Sequence, residues 1–374
     1  MRNFLIFVLA IGLSAGIFVR VRYGGGEPYP DLSTPPLLQG VLLEEVLQYP
    51  EPIGNVAVSH DGRVFFTVHP ESRPQGNKLL EWVAGAAVPY PSGTVQPHLF
   101  DAVLGLCIDR QQRLWTIDHG KQGFATPRLL AFDLRTGDLV HDHEFRGEIA
   151  PAGSFLQDLQ VTPDGLHVIV TDGSIWRKKP ALIVYDIAGR KARRILESHE
   201  SVMAENYLIQ NSIKDLSFLG GLFTLKSGVA GIAIDKQNEW LYYAATNHGG
   251  LYRIGMQYVT DATLPESELA DQIERFSDKP LSDGLASDMA GNIYITDVEH
   301  NAVSIVGSNR QPRTLIQSPD IRWASAVSFG PDGFLYVADS AFPELVLETK
   351  RHIAAAGPFS IYRFAAGDLV VPSP

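Results

Sequence analysis

Cysteine is almost missing from this sequence. Cys107 is the single cysteine among 374 residues, so no intrachain disulfide can form. It lies in the apolar stretch GLCID, where a cysteine acts as a small buried hydrophobic residue more often than as a nucleophile. We therefore predict no thiol chemistry and no disulfide-linked partner.

Basic residues are outnumbered by acidic ones. The chain has 31 lysines and arginines against 42 aspartates and glutamates, and its formal net charge is -11 at pH 7. Nucleic-acid binding depends on clustered Lys and Arg side chains that neutralise phosphates, so we predict no nucleic-acid partner. Two short basic clusters do occur, Arg177–Lys179 and Arg190–Arg194, and both are expected on a solvated surface.

Motifs for several common reactions are also missing. The sequence contains no HExxH zinc motif, no phosphate-binding P-loop and no EF-hand calcium loop. Its one G-x-S-x-G match, GLSAG from Gly12, falls inside an apolar run near the N-terminus and cannot form the nucleophile elbow of a serine hydrolase. Function therefore has to be inferred from the fold and from where it places polar residues.

The N-terminus carries an uncharged, mostly apolar run from Phe4 to Val19, with Arg2 before it and Arg20 and Arg22 after it. This pattern is typical of a secretory signal peptide or a short membrane anchor, and both interpretations stay open. Residues 23–40 contain GGG and several prolines, which predicts a linker between this segment and a folded domain. We expect an extracytoplasmic protein, periplasmic or secreted, with membrane attachment through the N-terminus as one alternative.

Alternating apolar residues around a turn recur six times along the chain. In the copy SDGLASDMAGNIYITD, which begins at Ser282, Leu285, Ile293 and Ile295 alternate on either side of a turn at Gly291, the pattern of a two-stranded hairpin. The equivalent turn positions are Gly62, Gln112, Gly165, Asn238, Gly291 and Gly333. The interval between Gly165 and Asn238 is the only unusually long one.

Another alternating run follows most of these hairpins, so each unit of about fifty residues holds four short strands, the size of a propeller blade. We predict an all-β fold, a six-bladed β-propeller over residues 41–374, preceded by a hydrophobic helix within residues 1–22. The last unit ends after its third strand, and the run from Val41 to Gln48 is expected to supply the missing outer strand.

The long interval contains ESHESVMAENYLIQNSIKDL, which starts at Glu197. The apolar residues in it predict a short amphipathic helix inserted after blade 3. Such an insertion would either cover a central pocket as a lid or pack against the rim of the propeller.

Hairpin geometry indicates where a binding site would lie. The start of the first strand and the end of the second strand of each blade meet on one face of the ring, and the six first strands converge on its axis. Candidate acid–base residues at such positions are Asp158, Asp283 and His119. Candidate ligand-binding residues are Asn55, Gln157, Ser282, Asn247 and Trp323, the last as a stacking wall.

Aspartate recurs at the ends of four second strands, as Asp118, Asp172, Asp297 and Asp339. Aspartate at such a position commonly accepts hydrogen bonds from backbone N–H groups of the following loop. We therefore predict that these four residues are structural.

The stretches PAGSFLQDLQVTPDGLHVIVTD, from Pro151, and SDGLASDMAGNIYITDVEHNAV, from Ser282, resemble the major royal jelly protein and Yellow family, in particular its bacterial members. The resemblance covers about Leu42 to Phe364. It implies a six-bladed propeller with a small-molecule pocket at the axis. Insect relatives include proteins linked to dopachrome conversion and others that bind biogenic amines, whereas their disulfides cannot form here.

The chain is more distantly similar to gluconolactonase and senescence-marker propellers, which hold a divalent metal at the axis through Glu, Asn, Asn and Asp. The corresponding positions fall near Ile53, Gln157, Ala230 and Asp283. Ile53 and Ala230 offer no side-chain ligand, so we assign no metal ligands, although water and backbone oxygens would have to complete any axial cation site.

Three functions follow as hypotheses. The leading one is an exported propeller that binds a small polar or aromatic molecule at its axis, with acid–base chemistry of the isomerase type as an extension. The first alternative is metal-assisted hydrolysis of a sugar lactone. The second alternative is a non-catalytic scaffold for another protein, which exposed apolar patches would favour.

Overall fold

Six four-stranded antiparallel sheets make up most of the chain in the computed structural model, which describes residues 1–366. The first strands of successive sheets are neighbours, and the first strand of the sixth sheet lies beside that of the first. The sheets therefore form a closed ring, and the predicted six-bladed propeller is confirmed. The predicted domain extends to residue 374, so its last eight residues lie outside the described residues.

The elements before the ring are α1 (Arg2–Tyr23), β1 (Glu27–Pro28), a 3-10 turn (Gly40–Leu42) and β2 (Glu44–Tyr49). Blade 1 contains β3 (Ile53–Val58), β4 (Val64–Val68), a 3-10 turn (Pro70–Ser72), β5 (Leu79–Val83) and β6 (Ala86–Pro89). The short helix α2 (Gln96–Leu99) follows β6. Blade 2 contains β7 (Val103–Ile108), β8 (Arg113–Asp118), α3 (Gly120–Gly123), β9 (Arg128–Asp133) and β10 (Leu139–Glu144). Blade 3 contains β11 (Leu156–Val161), β12 (His167–Asp172), β13 (Ala181–Asp186) and β14 (Lys191–Ile195).

The insertion that follows holds a 3-10 turn (Glu200–Val202), β15 (Tyr207–Leu208), β16 (Ser217–Phe218) and β17 (Phe223–Thr224). Blade 4 contains β18 (Val229–Ile234), β19 (Trp240–Ala245), β20 (Gly250–Gly255), α4 (Met256–Thr260), α5 (Glu266–Ala270) and β21 (Glu274–Asp278). Blade 5 contains β22 (Leu285–Ser287), β23 (Ile293–Asp297), β24 (Ala302–Val306) and β25 (Pro312–Gln317). Blade 6 contains β26 (Ala324–Phe329), β27 (Phe334–Asp339), a 3-10 turn (Phe342–Glu344), α6 (Lys350–Ala356) and β28 (Phe359–Ala365), together with β2.

The hairpin turns form because particular residues satisfy the backbone there. In blade 5, the Asp288 carboxylate accepts hydrogen bonds from the backbone N–H groups of Ala290 and Asn292, at 2.9 and 2.8 Å. Gly291 has a φ of 83°, a left-handed conformation that glycine adopts without steric cost. The sequence signal for a turn between two apolar runs thus has a direct physical cause.

An N-terminal strand closes the ring. β2 pairs antiparallel with β28, from Glu44 opposite Arg363 to Tyr49 opposite Phe359. The prediction that the run from Val41 to Gln48 supplies the outer strand of the last blade is confirmed, with the strand itself beginning at Glu44. Leu47 points inward and is only 3% exposed, packed with residues of blades 1 and 6.

We expect Leu47→Ala to lower the free energy of unfolding by about 2–4 kcal/mol, because it removes buried methyl groups and leaves a cavity at the closing strand. Urea titration would measure the change. Val41→Ala is the matched control, because Val41 is 83% exposed and its truncation should alter stability by less than about 0.5 kcal/mol. Equal stability of the two variants would contradict closure by β2.

The insertion after blade 3 is not the amphipathic helix that its apolar spacing predicts. Its helical part is limited to the 3-10 turn, and Tyr207 and Leu208 instead form β15, which pairs in parallel with β1. The apolar residues of the segment pack into a cluster over the upper face, which we define as the face where the first strand of each blade begins. Tertiary contacts have overridden the local helical pattern.

Residues 23–40, predicted as a linker, lie on the propeller. β1 pairs with β15, and the Tyr29 hydroxyl donates to the Lys279 carbonyl at 2.9 Å. Further along, the backbone N–H groups of Leu37 and Leu38 donate to carbonyls of β25, at 3.0 and 2.8 Å. The segment is therefore a strap across blades 4 and 5, and its proline and glycine content does not make it a free spacer.

The apolar run predicted at the N-terminus forms part of α1. Among the residues that the structure describes, no helix is long and apolar enough to cross a membrane.

The four aspartates at second-strand ends have the predicted structural role. Asp118, for example, accepts hydrogen bonds from the backbone N–H groups of Asp101, Ala102 and Gly120 at 2.6–2.8 Å. Asp172, Asp297 and Asp339 also accept backbone hydrogen bonds from neighbouring loops. These contacts fix the loops of the upper face, and with them the surroundings of the axis.

Candidate functional site

A cavity opens on the upper face at the centre of the ring. Its volume is about 130 Å³, close to the roughly 150 Å³ that holds a benzene molecule in a protein interior. Most of its wall is apolar, from Leu104, Phe155, Ile175, Trp176, Phe223, Leu225, Trp323, Phe342, Val346 and Leu347. The polar side chains that reach it are Asn55, His69, Glu71, Gln122, Gln157, Asp158, Ser227, Thr246, Asp283 and Ser325.

Irregularities in the first strands direct side chains toward the axis. The pairing register of β11 with β12 shifts between Leu156 and Leu159, and corresponding shifts occur in the first strands of blades 1, 2, 4 and 6. A bulge of this kind re-aims the side chains around it. In blade 3 it places Gln157 and Asp158 on the cavity, and in blade 1 it places Asn55 there.

A glycine in blade 2 allows the first strands of blades 2 and 3 to approach each other closely. A Cβ atom at Gly105 would lie 2.7 Å from the carbonyl oxygen of Gln157 and 3.0 Å from the Cα atom of Asp158. Such distances are too short for any side chain at residue 105. The glycine in blade 2 therefore permits the position of the polar pair in blade 3.

Asp283 lies just before β22 and is held from three sides. Its Oδ1 atom accepts a hydrogen bond from Gln157 Nε2 at 2.5 Å, and its Oδ2 atom accepts one from the indole Nε1 of Trp323 at 3.0 Å. Its backbone N–H donates to Thr296 Oγ1 at 2.9 Å. Residues from blades 3, 5 and 6 thus fix one carboxylate at the axis.

Asp158 is held more loosely. Its Oδ1 atom accepts a hydrogen bond from the backbone N–H of Leu159 at 2.9 Å, and its own N–H donates to Thr171 Oγ1 at 3.1 Å. Asn55, on the neighbouring side of the axis, also donates to this carboxyl group. The site therefore contains two carboxyl groups, of which only Asp283 has both oxygens engaged by side-chain N–H donors.

Both carboxyl groups titrate near neutrality. Burial raises the pKa of Asp158 to about 7, and the proximity of Asp283 adds to this, against the hydrogen bonds from Leu159 and Asn55. Burial also raises the pKa of Asp283 to about 6, against the hydrogen bonds from Trp323 and Gln157. Two acids at one site with pKa values near 7 can bind a cation or hold and release a proton.

Several polar atoms at the cavity have no partner. Gln157 Oε1, Ser227 Oγ and Thr246 Oγ1 are buried and make no hydrogen bond to any described residue. All three side chains line the cavity. Because buried polar atoms are nearly always paired, these acceptors and donors indicate a site for water or for polar groups of a ligand.

The structure brings together five of the eight predicted site residues. Asn55, Gln157, Asp158, Asp283 and Trp323 all line the axial cavity. The other three, His119, Ser282 and Asn247, do not reach it.

Each of these three is placed elsewhere for a physical reason. His119 faces a neighbouring cavity between blades 1 and 2, where its Nδ1 atom accepts from the backbone N–H of Gln122 at 2.8 Å and burial lowers its pKa to about 4. Ser282 is buried one position before the residue that faces the axis. The amide of Asn247 bonds to backbone atoms of Ser227, Tyr207 and Leu225, so in blade 4 it replaces the structural aspartate of other blades.

Sequence reasoning missed the residues that loops supply. Glu71 and Gln122 line the cavity from the loops after β4 and β8, and Gln122 Nε2 donates to Glu71 Oε1 at 2.7 Å. The side-chain Oε1 atom of Gln122 also accepts a hydrogen bond from the Trp176 indole. The insertion after blade 3 adds Phe223 and Leu225, so it forms part of the cavity wall. Loop conformation gives no periodic signal, and no pattern in the sequence could have located these contacts.

The axial residues do not match the needs of a divalent cation. No group of three or more His, Cys, Asp and Glu side chains able to hold a metal occurs in the described part of the chain, residues 1–366. Both oxygens of Asp283 already accept N–H donors, and Gln157 presents its amide N–H to the carboxylate. Calcium takes six to eight oxygen ligands, which this set does not supply.

A comparison with protein families identifies the chain. The model of the major royal jelly protein family matches residues 102–322, which is more than half of the sequence. The chain belongs to the major royal jelly protein family. The matched region of this family member runs from the start of blade 2 to the loop before blade 6, and it includes Gln157, Asp158 and Asp283.

Similar proteins include two from Apis mellifera. Major royal jelly protein 3 is 26% identical over 171 residues, which is 44% of this chain and 30% of the relative. Major royal jelly protein 6 is 28% identical over 177 residues, 44% of this chain and 38% of the relative. The chain thus spans about a third of the length of the curated relatives that it matches.

Solved propellers of other families share the fold. A gluconolactonase from Xanthomonas campestris has a TM-score of 0.55 at 16% identity, over 92% of this chain and 99% of that one. A calcium-binding regucalcin from Agrobacterium tumefaciens has a TM-score of 0.54 at 14% identity, over 86% and 93%. At such low identity these likenesses concern the fold alone.

Proposed function

We propose that the axial cavity binds a small molecule that joins one aromatic ring to a protonated amine. The observation that carries this proposal is the pair of carboxyl groups, Asp158 and Asp283, at the polar end of a small cavity with aromatic walls. Such a combination of an apolar wall and a few convergent polar groups is typical of small-molecule sites.

The size of the cavity supports a ligand with one ring. Its volume of about 130 Å³ suits a single aromatic ring with a short side chain. Phe155, Trp323 and Phe342 provide flat apolar surfaces, and the Trp323 and Phe342 rings lie 5.1 Å apart. Aromatic contacts of this kind favour a flat ligand in offset or edge-on arrangements.

The charge of the site supports an amine. Two neighbouring carboxyl groups disfavour each other's ionisation, which contributes to the raised pKa of Asp158. An ammonium group between them would be attracted to both carboxylates, reduce their net charge from -2 to -1 and donate up to three hydrogen bonds. The free Gln157 Oε1 atom offers one further acceptor. A carboxylate ligand would instead add a third negative charge.

The test compares three ligands of similar size at pH 8 by isothermal titration calorimetry. Phenethylamine should bind with a measurable Kd, whereas 3-phenylpropanoate, which has the same ring and a carboxylate, should not bind. The uncharged 2-phenylethanol should bind at least tenfold more weakly than the amine. Preference for the carboxylate, or silence from all three compounds, would reject the proposed ligand class.

A second candidate function is proton transfer on the bound molecule. The observation that favours it is the pair of pKa values, about 7 for Asp158 and about 6 for Asp283, which lets either group accept or return a proton at physiological pH. Deuterium incorporation from D₂O into an enolisable aryl ketone, followed by NMR, would reveal such transfer. If the parent protein incorporates deuterium no faster than the Asp158→Asn variant, this candidate function is rejected.

We also propose that the protein acts outside the cytoplasm. The supporting observation is the apolar run from Phe4 to Val19, flanked by Arg2, Arg20 and Arg22. Fractionation of the producing cells, with mass determination of the mature chain, tests this. Recovery of the unprocessed chain from the cytoplasm alone would contradict it.

A further inference from the structure

A second cavity lies on the upper face, where α1 meets the insertion after blade 3. It has a volume of about 350 Å³ and is lined in part by Arg22, Lys178 and Lys226. These residues come from three separate segments, the last turn of α1, the loop after β12 and the end of the insertion. The fold has therefore gathered three cationic groups around one opening in a chain whose net charge is -11.

Among the residues that the structure describes, no acidic group forms an ion pair with any of the three cations. Arg22 Nη2 donates to the Arg177 carbonyl at 2.9 Å, and Lys178 Nζ donates to the Lys226 carbonyl at 2.9 Å. Lys226 Nζ donates to the Gly24 carbonyl and to Asn206 Oδ1, at 2.9 and 2.6 Å. Within residues 1–366, no carboxylate oxygen lies within 4.0 Å of their charged nitrogens.

The one acidic residue in the lining is engaged elsewhere. Glu205 accepts a hydrogen bond from the backbone N–H of Gly249 at 2.9 Å, and the same oxygen lies 3.5 Å from His248 Nδ1. It therefore belongs to the loop of blade 4 and does not pair with Arg22, Lys178 or Lys226.

The cations repel one another. Burial, together with the charges of Lys226 and Arg22, lowers the pKa of Lys178 to about 8. Burial and the charge of Arg20 also lower the pKa of Lys226. Repulsion among partly buried cations is relieved when an anion with several acceptor oxygens lies between them, and a phosphate group meets this need.

The surroundings of the cavity indicate the source of the phosphate. α1 leaves the propeller at this point and exposes a series of large apolar side chains, Ile11, Leu13, Ile17, Phe18 and Val21. Leu219 of the insertion is 78% exposed on the same side. Exposed apolar residues beside Lys and Arg are typical of segments that lie in the boundary between lipid headgroups and acyl chains.

We propose that this basic cavity binds the phosphate group of an anionic lipid and holds the upper face against a lipid surface. The mouth of the axial cavity lies on that surface as well, because Trp176 lines the axial cavity, stacks on Phe223 at 5.5 Å and contacts the Tyr23 ring of α1 at 6.1 Å. Docking would thus bring the mouth close to lipid. Lys178, one of the phosphate-binding residues in this proposal, belongs to the cluster Arg177–Lys179, which the sequence predicted on a solvated surface.

The test is vesicle flotation of the full-length chain. Vesicles of phosphatidylcholine alone are compared with vesicles that contain about 30% phosphatidylglycerol. The chain should partition at least tenfold more strongly to the anionic vesicles, and the difference should shrink as salt is raised, since surface attraction is screened. Lys178→Glu/Lys226→Glu should lose this difference and keep the binding to phosphatidylcholine that α1 provides.

The matched control is Arg190→Glu/Lys191→Glu, which makes the same charge change at a turn on the opposite face. It should retain the preference for anionic vesicles. Equal partitioning of the parent chain to both vesicle types would overturn the proposal, and so would a preference that survives in Lys178→Glu/Lys226→Glu. If inorganic phosphate stabilises the folded protein but the protein shows no preference for anionic vesicles, the site binds a free anion and the lipid proposal is rejected.

Discussion

Asp283→Asn should weaken the binding of phenethylamine by at least about 30-fold at pH 8. This loss corresponds to about 2 kcal/mol, the lower end of what removal of one partner from a buried charged pair costs. The substitution removes the negative charge that faces the ligand. It also turns an amide N–H toward either Gln157 Nε2 or Trp323 Nε1, both of which are donors. Calorimetric titration of the parent and the variant measures the ratio of Kd values.

Asp138→Asn is the matched control for this prediction. Asp138 is exposed between β9 and β10, on the face opposite the axial cavity, and its substitution changes net charge by the same amount. It should leave Kd unchanged within about twofold. An Asp283→Asn variant that binds the amine as tightly as the Asp138→Asn variant would show that Asp283 does not carry the interaction.

Asp158→Asn should make the folded protein more stable at pH 8. The pKa of Asp158 is about 7 in the folded state and about 3.9 for an aspartate in an unfolded chain. Between these values the folded state binds more protons than the unfolded state, so stability falls as pH rises from about 4 to about 7. Asparagine removes this penalty. We expect the free energy of unfolding at pH 8 to rise by about 1–3 kcal/mol. This is less than the whole difference between the two pKa values would give, because the side chain is partly exposed to solvent.

Urea titrations at pH 4 and pH 8 test this second prediction. The gain should be present at pH 8 and nearly absent at pH 4, where the aspartate is protonated in the folded state and only about half ionised in the unfolded state. Asp283→Asn serves as the comparison, because its carboxylate accepts two side-chain hydrogen bonds and their loss opposes the gain. A variant Asp158→Asn that is less stable than the parent at pH 8 would contradict the raised pKa of this residue. A stabilised variant with weakened ligand binding would indicate that the native residue is kept for function.

The propeller could be predicted because its signal repeats. Turn residues such as Gly291 recur between alternating apolar runs, and each copy predicts the same hairpin. The closing strand could be predicted by counting strands in each blade. The last blade had only three, and the apolar run from Val41 to Gln48, before the first blade, was suited to form the fourth. Leu47 then occupies the buried position that this pairing requires.

The insertion shows why local pattern alone was not sufficient. Val202, Met203, Tyr207 and Leu208 have helix-like spacing, yet Tyr207 and Leu208 pair with β1, a segment about 180 residues earlier in the chain. Composition likewise predicted a free linker for residues 23–40, because proline and glycine indicate irregular backbone and not its location. Contacts that depend on distant residues cannot be read from either segment by itself.

The candidate site could be located to within one or two residues. The rule that first strands start at the axis predicted that Asp158 and Asp283 lie there, and both line the axial cavity. It could not distinguish Ser282 from Asp283, since a bulge or a single step along the strand exchanges the residue that faces the axis. It also could not show that Asn247 takes the structural place of an aspartate, because that role depends on backbone atoms of the insertion.

The most direct test of the central claim is calorimetric titration of phenethylamine from pH 5 to pH 8, repeated at pH 6.5 in two buffers of different ionisation enthalpy. An ammonium group bound by ionised Asp158 and Asp283 should bind about tenfold or more tightly at pH 8 than at pH 5. Binding at pH 6.5 should release protons to the buffer, because the ligand lowers the raised pKa values. An affinity that is independent of pH, or proton uptake on binding, would contradict an amine site built on these two carboxyl groups.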